Sequence, residues 1–103
     1  MAISDVQNSG SWYYVLDENG KRTATLTKSG TGELLGFGVD FLLFKNGSLY
    51  YTYDQTGKRI TALSVTGSGV FKNVAGTTFN LIQGSSVYTY DKQGKKIGTR
   101  PNR

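Results

Sequence analysis

The chain contains no cysteine and no histidine, and only one proline among its 103 residues. Without cysteine there is neither a disulfide framework nor a thiolate metal site. Without histidine the commonest neutral metal ligand and general base is missing. Much of enzyme chemistry goes with them, so no metal, cofactor or catalytic residue is expected. No window shows a sustained helical stripe, and no apolar run approaches the roughly 18 residues of a membrane-crossing helix. The segment Met1 to Val6 lacks a basic flank followed by an apolar core. The expectation is a protein without an export signal, cytoplasmic by default, and not inserted in a membrane.

What is present is turn and strand chemistry. Fourteen glycines, seven tyrosines and five phenylalanines, with abundant threonine and valine, suit many short strands joined by tight turns. The fold class read from this is all-β. The length is that of a single domain, able to remove about 60–70% of its unfolded surface from water. Twelve Lys and Arg against seven Asp and Glu leave a net charge of +5. That balance favours polyanions such as nucleic acid, sulfated glycan or anionic lipid, and equally keeps a small domain soluble.

One stretch is written three times: Trp12-Tyr13-Tyr14-Val15-Leu16-Asp17-Glu18-Asn19-Gly20-Lys21-Arg22 returns as residues 49–59 and again as 86–96. Its Asp (17, 54, 91), Gly (20, 57, 94) and Lys (21, 58, 95) recur at a constant interval of 37. A period of this size marks a repeat architecture. The units are an N-terminal strand at 2–8, repeats at 10–46 and 47–83, and a partial repeat at 84–103. Each repeat opens with an aromatic strand, turns at Asp-x-x-Gly, and returns through a strand that starts with basic residues. Aspartate at the first position of a type I turn binds the following amides, and glycine takes the left-handed position that forms a bulge.

The linkers Ser29-Gly30-Thr31-Gly32 and Thr66-Gly67-Ser68-Gly69 then lead to strands at Glu33–Phe37 and Val70–Val74. Asp40–Phe44 and Thr77–Ile82 follow, with two-residue turns at Ser9-Gly10, Asn46-Gly47 and Gln83-Gly84. The run Phe41-Leu42-Leu43-Phe44 is continuously apolar, so both of its faces should be buried. Naming the strands of one repeat A to D, the chain runs D, ABCD, ABCD, AB, about eleven antiparallel strands in a meander. The expected architecture is β-prism-like or a related closed repeat. Either the first strand completes the last repeat and closes a ring, or open edges pair between chains, and a homo-oligomer is expected.

Alternation along each aromatic strand puts Trp12, Tyr14 and Leu16 on one face, with Leu49, Tyr51, Tyr53 and Ser86, Tyr88, Tyr90 as counterparts. This bulkier face is expected to point to the core, leaving Tyr13 and Tyr50 outward. Candidate ligand-binding residues are therefore Tyr13 and Tyr50 together with the basic pairs Lys21 and Arg22, Lys58 and Arg59, and Lys95 and Lys96. Basic and aromatic side chains interleaved on a β surface bind polyanions by charge pairing and stacking. The competing structural reading is that each Lys pairs with its own turn Asp. The tail Lys92, Lys95, Lys96, Arg100 and Arg103 adds positive charge.

Gly36-Phe37-Gly38 is half a dinucleotide fingerprint, but strand pattern follows it where a helix is needed. Asn46-Gly47-Ser48 has the glycosylation pattern and is accounted for by its turn. The carboxylates Asp17, Asp54 and Asp91 are spread by the repeat and cannot form a general acid/base pair.

The segment Tyr51-Thr52-Tyr53-Asp54-Gln55-Thr56-Gly57-Lys58-Arg59-Ile60-Thr61 resembles the tyrosine-aspartate repeats of Rhs-type secreted β-shell proteins. Residues 88–97 match that pattern nearly as well, and residues 14–23 less so, because Leu16 stands for the second Tyr. The resemblance covers about a third of the chain and implies an aromatic β-hairpin unit. The plan of three four-stranded repeats is similar to that of the monocot mannose-binding β-prism lectins, although their Gln-x-Asp-x-Asn-x-Val-x-Tyr motif is absent.

The function expected from all of this is a non-enzymatic binding or assembly module that presents Tyr plus Lys/Arg hairpin surfaces to a glycan, a polyanion or a protein. The alternatives are a purely structural, self-assembling subunit, such as a phage, surface or secretion-apparatus component, and a nucleic-acid binder.

Overall fold

The computed structural model describes residues 2–65 and 69–101. Of the second linker only Gly69 falls among them, and Arg103 of the basic tail lies outside the described residues. The strands are β1 (Ile3–Ser9), β2 (Trp12–Asp17), β3 (Arg22–Thr27), β4 (Glu33–Phe37), β5 (Phe41–Asn46), β6 (Leu49–Asp54), β7 (Arg59–Ser64), β8 (Val70–Ala75), β9 (Thr78–Gln83), β10 (Ser86–Asp91) and β11 (Lys96–Pro101), with one helical turn, α1 (Lys28–Thr31), between β3 and β4. They form three antiparallel meanders: β1-β2-β3, β4-β5-β6-β7 and β8-β9-β10-β11.

The turns follow from the residues that make them. Gly10, Gly47 and Gly84 have φ of 59°, 64° and 63°, and among the described residues no other residue type has positive φ. Ser9 pairs with Trp12, Asn46 with Leu49 and Gln83 with Ser86, so each loop is Gly-Ser. A positive φ at the first loop residue alone is the type II′ signature. The expected Asn46-Gly47 turn thus sits one residue later, because Asn46 still belongs to its ladder. The linker at residues 29–32 forms most of α1, whose N-terminus Thr27 caps by accepting from the Gly30 amide at 3.2 Å.

The core explains the continuous apolar run. Phe41, Leu42, Leu43 and Phe44 are all fully buried, yet they belong alternately to two cores. Leu42 and Phe44 pack with Ile3, Tyr13, Val15 and Leu26 of the first sheet. Phe41 and Leu43 pack with Phe79, Leu81 and Tyr90 of the third. The middle sheet is therefore sandwiched, and β5 is buried on both faces as its sequence predicts.

The eleven antiparallel strands form the expected all-β meander, and its three sheets succeed one another face to face around two cores. Of the two closures the sequence offers, the first strand does not complete the last repeat: β1 pairs with β2, and the last sheet already has four strands. The reason is that the second and third sheets each draw their first two strands from the end of one sequence repeat and their last two from the beginning of the next, and β1 stands to the first sheet as β5 and β9 stand to theirs.

Successive sheets also interlock through polar contacts. Thr23 donates to the carbonyl of Gln55 in the next sheet's turn at 2.9 Å, and Thr52 donates to that of Lys92 at 2.7 Å. At the far side of the third sheet the register places Lys72, Asn80, Val87 and Arg100 where the second sheet has Leu35, Leu43, Tyr50 and Leu63. Of these four only Val87 is apolar, and Asn80 joins a hydrogen-bonded chain from Thr89 through Asn80 to Asn73. A polar outer face of this kind is the usual termination of a stacked array.

Candidate binding surface

Each Asp-x-x-Gly turn is built alike. The Asp17 Oδ1 accepts the amides of Asn19 and Lys21, Asp54 Oδ1 those of Thr56 and Lys58, and Asp91 Oδ1 those of Gln93 and Lys95, all within 2.9–3.0 Å. The aspartates thus organise backbone, and they do not form ion pairs with the lysines that follow. Among the described residues the ion pair is Lys92 with Asp40, at 2.6 Å. Burial opposes ionisation of Asp54, but the bonds from Thr56 and the Lys58 amide, with the charge of Lys58, outweigh it and hold the carboxyl below its ordinary value. A lowered carboxylate value adds stability that is complete above the ordinary range and is lost as pH falls through the lower folded value. In urea titrations the stability difference between the native chain and Asp54→Asn should therefore shrink as the pH is taken into that range.

The expected tyrosines are not outward. Tyr13 and Tyr50 are 7% and 2% exposed. Tyr13 donates to the Gly32 carbonyl (3.2 Å) and accepts from the Leu34 amide (3.3 Å), and Tyr50 donates to the Gly69 carbonyl (2.8 Å). Each ties its own sheet to the start of the next, and burial, partly offset by the Phe71 amide, pushes the Tyr50 hydroxyl above its usual value. The sequence reading of the two faces fails because a sheet with a neighbour on each side has two interior faces.

The pairing of the candidate basic residues with tyrosine uses three others, the half-buried Tyr14, Tyr51 and Tyr88. The Arg22 guanidinium lies 3.8 Å from the Tyr14 ring centroid, Arg59 is 5.3 Å from Tyr51, and the Lys96 ammonium is 4.5 Å from Tyr88. These are cation–π contacts repeated once per sheet. Lys21, Lys58 and Lys95 stand exposed beside them. Of the basic candidates, the structure thus joins Arg22, Arg59 and Lys96 to aromatic rings.

Among the described residues, the one sheet face that carries aromatic side chains and has no sheet against it is the outer face of β1-β2-β3. Along β2 it carries Trp12, Tyr14 and Leu16, of which Trp12 is 43% exposed. By register, Ser9, Gln7 and Asp5 flank them on β1, and Thr27, Thr25 and Arg22 on β3, all six exposed. The result is an apolar row between two hydrogen-bonding rows. A sequence signal for it exists: Asp5 and Gln7 stand 37 residues before Leu42 and Phe44, so the apolar partners that cover this face elsewhere are replaced here.

Among the described residues there is no enclosed pocket, and no three acidic side chains converge to hold a metal. Comparison with protein-family models, with curated proteins and with solved structures finds no match to this chain.

Proposed function

We propose that this domain is a non-enzymatic binding module whose ligand is an extended acidic glycan lying across the outer face of the first sheet. The observation that carries the reading is the uncovered row of Trp12 and Tyr14, with Arg22 stacked on Tyr14 and polar side chains on both flanks. A pyranose ring has an apolar C–H face and a rim of hydroxyls. Indole takes the first by stacking, and Gln7, Asp5 and Thr25 suit the second. A flat face accommodates a chain of sugars where a pocket would take a single one. The acidic preference follows from Arg22 and from the net charge of +5, which draws polyanions from a distance.

The test is titration calorimetry against matched neutral and acidic polysaccharides. Trp12→Ala should weaken binding roughly tenfold or more while thermal unfolding stays close to that of the native chain, because the indole lies outside both cores. Arg22→Gln should weaken binding of the acidic polymer and leave the neutral one nearly unaffected. Binding that survives Trp12→Ala unchanged would end this reading.

A further inference from the structure

We propose that the free edge of β1 accepts one additional strand, supplied by an extended peptide partner, which completes the first sheet. This edge borders the glycan-binding face, with which it shares Asp5, but the inference does not rest on glycan binding, and Val6→Pro touches the edge alone. In the second and third sheets the strand equivalent to β1 has neighbours on both sides: β5 lies between β4 and β6, and β9 between β8 and β10. Among the described residues β1 forms a ladder with β2 alone, and the one backbone bond on its other side is that of the Ile3 amide to the Val39 carbonyl at 2.6 Å, before the stretch Asp5–Asn8. Its Val6 amide donates to the carboxylate of the adjacent Asp5 at 2.8 Å, the arrangement in which a charged side chain shields an unpaired edge. A strand that displaced this carboxylate would gain a ladder bond at the same amide.

The other two sheets say what that strand must look like. β4 and β8 each carry a bulge at the same place, Leu34/Gly36 and Phe71/Asn73, and pair with β5 and β9 in the same register. Transferred by 37 residues, the incoming strand runs antiparallel to Asp5–Asn8, with its bulge opposite Val6. Beside it lie Leu34 and Phe37, partly buried on the first core, which hold the places that Phe71 and Val74 hold on the second. At that second interface a Cβ on Gly36 would lie 2.9 Å from Val74, so the bulge admits a glycine where β8 packs over β4. The strand therefore needs an apolar residue followed by glycine at the bulge, facing Leu34 and Phe37. On the solvent side it needs polar residues, with a basic one opposite Asp5. This is recognition by strand addition, in which the backbone supplies affinity and alternate side chains supply selectivity.

The probe is the synthetic peptide Ser-Glu-Thr-Leu-Gly-Lys-Gly, titrated into the intact chain and followed by amide exchange. Exchange at Val6 should slow about tenfold or more at saturation, while a peptide of the same composition in scrambled order should leave it unchanged. Val6→Pro removes the edge donor and should abolish binding. Should that variant fail to fold, the exposed Asp5→Lys decides: it should weaken this peptide roughly tenfold and restore binding to a peptide with Asp in place of Lys. Absence of binding by the first peptide, or equal binding by the scrambled one, overturns the proposal. So does affinity indifferent to both Val6→Pro and Asp5→Lys.

Discussion

Phe44→Ala is expected to lower the free energy of unfolding by about 3–5 kcal/mol, the range for truncating a fully buried aromatic side chain. The ring has no solvent exposure. It sits between Tyr13, at 5.5 Å and tilted, and Tyr53, at 5.3 Å and edge-on, so its removal leaves a cavity lined by groups from two sheets. Collapse into that cavity is hindered, because Tyr13 is anchored to Gly32 and Leu34 through its hydroxyl. A domain of this size has a total stability of roughly 5–15 kcal/mol, so the variant should lose much of its folded margin. A urea titration read by tyrosine and tryptophan fluorescence measures the loss. Phe44→Leu, which keeps most of the volume, should cost clearly less. A midpoint for Phe44→Ala close to that of the native chain would mean that the first core is not packed as described.

Gly32→Ala should be nearly as damaging, at about 2–5 kcal/mol, for two causes that add. The residue follows α1 with φ 89° and ψ −150°, a backbone region open to essentially glycine alone. A Cβ there would also lie 2.4 Å from the Lys45 carbonyl oxygen and 2.8 Å from the Asn46 Cβ, and the carbonyl cannot move without disturbing the β4–β5 ladder. Gly10→Ala separates the causes, since Gly10 has φ 59° but nothing within 4 Å of its Cβ position. It should cost only the conformational share, about 1–2 kcal/mol. Equal losses for the two substitutions would show that the close approach at Gly32 is relieved at no cost. Thermal unfolding of the three proteins side by side makes the comparison.

Local structure was legible wherever a residue acts on its own neighbourhood. Asp17, Asp54 and Asp91 bind amides two and four residues on, and the glycines three residues after them take positive φ, as the spacing Asp-x-x-Gly requires. The buried strand Phe41–Phe44 was equally legible, because a run apolar on both faces has no solvent side to offer. The orientation of β2, β6 and β10 was not. Trp12, Tyr14 and Leu16 form as apolar a row as Tyr13 and Val15, so alternation within the strand leaves the choice of inner face open. The pairing of Arg22 with Tyr14 was likewise hidden, since it depends on the bulge between Val15 and Leu16 that sets Arg22 opposite Leu16.

The all-β class, the eleven strands, the turns and the period of 37 residues can be read from the residues alone, because they depend on backbone preferences and side-chain alternation over a few neighbours. That the sheets succeed one another around two cores, that Tyr13 and Tyr50 are interior ties, and that Trp12 and Tyr14 remain on the surface emerges from the packing of the sheets. A strand's two faces become core or surface according to whether another sheet lies against them. For β2 that depends on Leu42 and Phe44, which stand some 25–32 residues further along the chain.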